Sequence, residues 1–199
     1  QVLNYQQQKM TKLSVNINKI ATIRNARGAE TPSVTEAAIK IQEFGGQGIT
    51  IHPRPDERHI TRKDVYDLKP LVYTEFNIEG NPHRPFIDMV LEVKPEQVTL
   101  VPDADDAITS NAGWDCEKNL DFLKSVIAEF KNAGIRTSIV LDPNPAMVKF
   151  AAETGTDRIE LYTEAYAKNY ETDKEAAIKP YYETALEATK YGLGINAGH

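Results

Sequence analysis

The sequence predicts an α/β fold on a parallel sheet, and three observations carry that prediction. First, short β-type runs alternate with helix-type runs from Leu13 to Ala197, seven strands against six helices. Strict alternation implies parallel strands joined by right-handed crossovers. Two architectures satisfy it, an open doubly wound sheet and a closed (β/α)8 TIM barrel. Second, neither G-x-G-x-x-G after the first strand nor the P-loop G-x-x-x-x-G-K-S/T occurs, which weakens the open-sheet reading. Third, polar side chains follow several different strands, where a barrel gathers its catalytic groups at one mouth.

The elements follow in order. Leu13 to Ile17 is the first strand. A helix runs from Val34 to Phe44, with Ser33 and Glu36 spaced as a capping box. GITIH, Gly48 to His52, is the second strand. Thr61 caps a short helix that reaches Leu68 and ends at Pro70. Tyr73 to Ile78 is the third strand. Asn81-Pro82 reads as a cap followed by proline in the first turn of a helix to Val93. Gln97 to Val101 is the fourth strand; after a long loop, a helix spans Glu117 to Ala133 and stops at Gly134. Arg136 to Leu141 is the fifth strand, and Asn144-Pro145 opens a helix to Thr154. Arg158 to Tyr162 is the sixth strand. Thr172 and Glu175 read as a second capping box, for a helix to Tyr191 that contains Pro180 and stops at Gly192. Leu193 to Ala197 is the seventh strand.

Composition bounds the function. The chain has 199 residues, 41% hydrophobic and 26% charged, as in a globular domain rather than a disordered one. Lys and Arg total 23 against 29 Asp and Glu, a net charge of −6. That argues against a nucleic-acid partner, which needs a basic face, but leaves room for a local basic pocket that takes a small anion. No apolar run is long enough to span a bilayer, and the start, QVLNYQQQK, lacks the pattern of a signal peptide. Residues 1–9 read as a leader or tag and 10–199 as the barrel domain. The single cysteine, Cys116, fits a reducing cytoplasm. The four histidines are too scattered for a metal motif, so no metal is expected.

The polar residues at strand ends are Asn16 and Asn18 at the end of the first strand, His52 ending the second, and Arg54, Arg58 and His59 in the loop beyond. Glu79 follows the third strand, Thr109 lies in the loop after the fourth, Glu160 lies inside the sixth, and His199 follows the seventh. Together they make an acid–base site for an anionic substrate. Each also has a structural reading: a strand-to-strand hydrogen bond for the asparagines, a satisfied structural histidine at His52, surface ion pairs in the Arg54–His59 loop, a turn at Glu79, and a surface position for His83. Glu160 stands apart, because an unpaired charge inside the apolar run RIELY is costly.

The segments SVNINKIATIRNARG, GITIHPRPDERHI, EFNIEG, QVTLVPD, TSNAGWD, DRIELYTE and GINAGH, in this order, resemble the pyridoxine 5′-phosphate synthase family over Met10 to His199. The resemblance implies a (β/α)8 barrel that needs no cofactor or metal and assembles as a homo-oligomer, an octamer. It implies His52 and Glu79 as general bases, His199 as general acid, and Glu160 as the carboxylate that stabilises the transition state. It assigns Asn16 to the amino-ketone phosphate, Arg27 to a substrate contact, and Arg54, His59 and Thr109 to deoxyxylulose phosphate. Many family members have Asp-His where this chain has Asn18-Lys19; the pair here offers a hydrogen bond and a positive charge instead of proton transfer. A complete barrel takes about 250 residues. The expectation is therefore a C-terminally incomplete barrel, lacking its last helix-strand-helix and final phosphate loop, with little or no turnover at this length. The rival readings are another phosphosugar lyase or isomerase on the same barrel, and an inactive truncated unit.

Overall fold

The computed structural model describes residues 10–102 and 112–198. Its elements are β1 (Ser14–Asn16), α1 (Asn18–Arg27), α2 (Val34–Glu43), β2 (Gly48–Ile51), α3 (Arg62–Leu68), β3 (Glu75–Gly80), α4 (Arg84–Val93), β4 (Gln97–Leu100), α5 (Leu120–Asn132), β5 (Arg136–Leu141), α6 (Pro145–Glu153), β6 (Arg158–Tyr162), α7 (Glu164–Asn169), α8 (Lys174–Lys190) and β7 (Gly194–Gly198). The strands form one sheet in sequence order, and every neighbouring pair is parallel. An order that never reverses is the winding of a (β/α)8 barrel wall; a doubly wound sheet reverses at a switch point.

Alternation along each strand separates two environments. Ile49, Ile51, Phe76, Ile78, Val98, Leu100, Ile139, Leu141 and Ile159 are buried in one cluster with Ala38, Val65, Leu68, Phe86 and Leu123 of the helices. The residues between them face the barrel interior, and that face is largely polar, with Val140 and Tyr162 as apolar exceptions. Ser14 and Thr50 share a hydroxyl hydrogen bond of 2.8 Å, and Thr99 Oγ1 donates to Asn77 Oδ1 at 3.0 Å. Arg136 Nε donates to Gln97 Oε1 at 2.8 Å, its Nη2 lies 2.6 Å from Glu75, and Arg158 Nη1 donates to Asn196 Oδ1 at 3.1 Å. A polar interior is tolerable only when satisfied, and no buried side-chain nitrogen or oxygen among the described residues lacks a partner.

Several local expectations change. The described residues contain two helices beyond the six expected, α1 and α7. In α1 only Ala21 is buried, and in α7 nothing is, so neither carries the apolar stripe that marks a helix. Asn18 consequently opens α1 rather than continuing the first strand. Glu79 lies inside β3 rather than after it. The cap of α4 is His83, whose Nδ1 accepts the Phe86 N–H at 3.2 Å, with Pro85 rather than Pro82 in the first turn. Asp173, not Thr172, caps α8 through the N–H groups of Glu175 and Ala176. Ser33 accepts the Glu36 N–H, while the full reciprocal box forms at Thr61 and Asp64. The Asn144-Pro145 start and the left-handed stops at Gly134 and Gly192 are as expected.

Gly80 is a packing requirement. A Cβ there would come within 2.2 Å of the buried Phe86 ring. Gly80→Ala is expected to destabilise the fold by about 1–3 kcal/mol through forced repacking, read from urea unfolding midpoints; an unchanged midpoint would remove Phe86 as the reason for the glycine.

Candidate active site

The site begins with two asparagines. Asn16, the last residue of β1, accepts the Asn18 N–H at 2.9 Å on its Oδ1. Asn18 Oδ1 in turn accepts the backbone N–H of His52 at 2.9 Å. The first loop is thereby tied to the end of β2. Register places the next group: Ile51 pairs with Ile78, so His52 and Glu79, one residue further on, emerge side by side on the interior face. His52 is buried and Glu79 half-buried.

Beyond β2 the loop brings His59 back beside His52. Arg54 is buried, and the His59 ring centroid lies 6.1 Å from that of His52, with the planes 58° apart. His59 Nδ1 accepts the N–H of Ile60 at 2.9 Å. Burial, with Arg54 and Arg58 nearby and Lys19 adding to them, lowers the His59 pKa to about 4, against the opposing pull of Asp56. The imidazole is therefore neutral at physiological pH with its proton on Nε2, a hydrogen-bond donor rather than a cation. Arg58 forms the surface ion pair of its structural reading, 2.6 Å from Asp56. Lys19 is exposed on the first turn of α1.

Across the sheet, Glu160 in β6 is 8% exposed. Its register partners are Val140 on β5 and Asn196 on β7. Val140 belongs to a small buried cluster with Val101 and Tyr162, and Tyr162 follows Glu160 by two residues on the same face. This apolar wall withholds water from the carboxyl, and burial raises its pKa to about 7. Gly198 leaves it room: a Cβ there would stand 2.9 Å from Glu160 Oε1.

The structure thus gathers Asn16, Asn18, His52, Glu79, Arg54 and His59 at one strand-end cluster, with Glu160 at the same end of the sheet. Arg27 is exposed at the other end of α1 from Asn18, about 14 Å away at 1.5 Å per residue. Thr109 and His199, and the leader assigned to 1–9, lie outside the described residues. Among the described residues no group of His, Cys, Asp or Glu converges as a metal site. A cavity of about 560 Å³ is lined by residues of α1, the α1–α2 connection, the start of α2, the loop after β2 and α3, including Arg24, Asn25, Ser33, Glu57 and Asp64.

Sequence reasoning misses Arg24, Asn25 and Asp64. Arg24 Nη1 lies 2.5 Å from Asp64 Oδ1, and Nη2 donates to Oδ2 at 2.8 Å. The two side chains are 12% and 10% exposed. Burial alone would raise the Asp64 pKa; hydrogen bonds from Arg24 and Thr61 outweigh it and hold the carboxyl below the usual range. The only sequence signal is the Thr61-x-x-Asp64 cap, which does not reveal an arginine forty positions earlier.

The comparisons with known proteins point one way. Residues 13–199 match the family described as "Pyridoxal phosphate biosynthesis protein PdxJ". The pyridoxine 5′-phosphate synthase of Christiangramia forsetii is 65% identical over 190 residues, 96% of this chain and 80% of that protein. Those of Flavobacterium johnsoniae and Bacteroides thetaiotaomicron are 64% and 60% identical over the same shares. Among solved structures, a D-psicose 3-epimerase from Clostridium cellulolyticum is similar with a TM-score of 0.56 at 12% identity, covering 95% of this chain and 73% of that one. A mandelate oxidase variant gives 0.57 at 8% identity, covering 81% and 56%. At those identities the likeness is one of fold alone. The family match and the curated relatives, spanning nearly all of the chain, establish that it belongs to the PdxJ family of pyridoxal phosphate biosynthesis proteins.

Proposed function

We propose that this mouth carries the pyridoxine 5′-phosphate synthase reaction, condensing 1-deoxy-D-xylulose 5-phosphate with 3-amino-2-oxopropyl phosphate and releasing phosphate and water. The observation that carries the reading is the placement of His52 beside Glu79 at adjacent strand ends, with a buried carboxyl, Glu160, at the same end of the sheet. The relatives' name gives the product, pyridoxine 5′-phosphate, and the family resemblance supplies the two substrates.

The chemistry fits these groups. The amine of one substrate and the ketone of the other form an imine and expel water. Removal of protons next to the imine and carbonyl carbons then permits loss of phosphate and ring closure, which expels a second water. Each proton needs a base within hydrogen-bond reach. His52 and Glu79 take that role, and His199 returns a proton to a departing oxygen. Glu160 is protonated over part of the neutral range, so it donates a hydrogen bond to developing negative charge. On the deoxyxylulose phosphate side, Arg54 supplies positive charge, neutral His59 supplies an Nε2–H, and Asn18, Lys19 and Thr109 complete the contacts. Asn16 contacts the amino-ketone phosphate, and Arg27, by the family resemblance, contacts a substrate. We place the protein in the cytoplasm as a homo-oligomer, with residues 10–199 as one domain. The family resemblance and the buried single cysteine support this, and no helix among the described residues is long and apolar enough to cross a membrane.

In an assay of the full-length protein, both substrates together should yield pyridoxine phosphate, and omitting the amino ketone should abolish it. His52→Asn is expected to slow turnover by about 10²–10⁴-fold. No product, with the variant and wild type indistinguishable, would overturn the proposal.

A further inference from the structure

The loop that carries Arg54 and His59 is held from outside the mouth. It passes through Glu57 at φ +51, a left-handed conformation that non-glycine residues adopt only when their surroundings fix it. The fixing groups come from α1. Arg24 reaches the carbonyl of His59 with Nη2 at 3.2 Å, and Asn25 Nδ2 reaches the same oxygen at 2.9 Å. Asn25 Nδ2 also lies 3.4 Å from the Glu57 carbonyl. Arg24 orients that amide, donating from Nε and Nη2 to Asn25 Oδ1 at 3.1 and 3.0 Å. Asp64 closes the arrangement. It takes both arms of the Arg24 fork and also accepts the Thr61 N–H at 2.8 Å and the Thr61 hydroxyl at 2.9 Å, so it fixes the start of α3 as well.

We propose that Arg24, Asn25 and Asp64 form a positioning latch that sets the backbone of the Arg54–His59 loop and thereby aims His59 at the substrate bound on that side. None of the three is a catalytic residue; they act through the carbonyl of His59. Both ends of His59 are then constrained, the carbonyl by α1 and Nδ1 by the Ile60 N–H, so the ring presents Nε2–H to the mouth. The planar fork is essential. A lysine at position 24 keeps the charge opposite Asp64 but cannot hold Asp64, Asn25 and the His59 carbonyl at once.

The kinetic half of the test rests on the proposed reaction; the structural half does not. At pH 7.5, nitrogen-15 NMR of His59 should show the Nε2–H tautomer in the wild-type protein and a mixture of tautomers in Arg24→Lys and Asn25→Ala. In the assay, both variants should raise KM for deoxyxylulose phosphate about tenfold, leave KM for the amino ketone within about twofold, and change kcat less than KM. A merely structural pair would lower the melting temperature without moving one KM alone. An unchanged tautomer overturns the latch. So does an equal rise in both KM values, or no rise in either. A wild-type protein that makes no pyridoxine phosphate overturns the reaction, and the tautomer result then still decides the latch.

Discussion

Glu79→Gln is expected to cut turnover by about 10²–10⁴-fold, the contribution of a positioned general base, while leaving the fold in place. The side chain is half-buried at the mouth end of β3 and makes no part of the apolar cluster beneath the helices. Glutamine keeps its shape and its capacity to accept a hydrogen bond and removes only the basic oxygen. Its neighbour sharpens the test. His52 and Glu79 leave adjacent strands at one level, so they are placed to handle successive protons of one substrate. If both serve the same slow step, the double variant His52→Asn, Glu79→Gln will be scarcely slower than the worse single variant, because residues acting as a unit are strongly non-additive. If they serve separate steps, the losses compound only where both steps limit the rate. Steady-state kcat at saturating concentrations of both substrates decides this, with urea midpoints as the control for folding. Turnover within about threefold of wild type would remove Glu79 from the chemistry.

The same residue shows where sequence reading stops. NIEGN has the composition of a turn, with asparagine, glycine and a following Asn-Pro. Yet Glu79 lies within a strand, and Gly80 is there because Phe86 occupies the space a Cβ would need. That contact is tertiary, and local propensity cannot carry it. The amphipathic helices were legible because burial on one face imposes a period of 3.6, and the strands because short apolar-rich runs alternate with those helices between turn and cap signals. Helix α1 was not, since its work is done by Arg24 and Asn25 across to another loop rather than by an apolar stripe. Glu160 was legible for a different reason: it keeps the alternation of RIELY, but a carboxylate between apolar residues of a buried strand is costly unless the protein uses it.

Glu160→Gln is expected to abolish most activity and, above neutral pH, to stabilise the protein. The carboxyl is raised from 4.5 to about 7 by burial beside Val140 and Tyr162. In the unfolded chain it ionises near its ordinary pKa. As pH climbs from about 4.5 to about 7, the unfolded chain gives up the proton while the folded protein keeps it. Wild-type stability therefore falls through that window and levels off above it, a loss of about 3 kcal/mol. Glutamine never ionises, so the variant escapes this penalty. Its advantage should be near zero at pH 4.5 and approach about 3 kcal/mol at pH 8, measured as the difference in unfolding free energy between the two proteins at each pH. Turnover should fall by about 10²–10³-fold, the usual cost of losing a group that meets developing charge. The two results belong together: the apolar wall that makes the carboxyl costly to ionise also makes it a proton donor near neutrality. A stability difference that is the same at both pH values would show that burial does not hold the proton. Full turnover in the glutamine variant would show that the reaction does not use it.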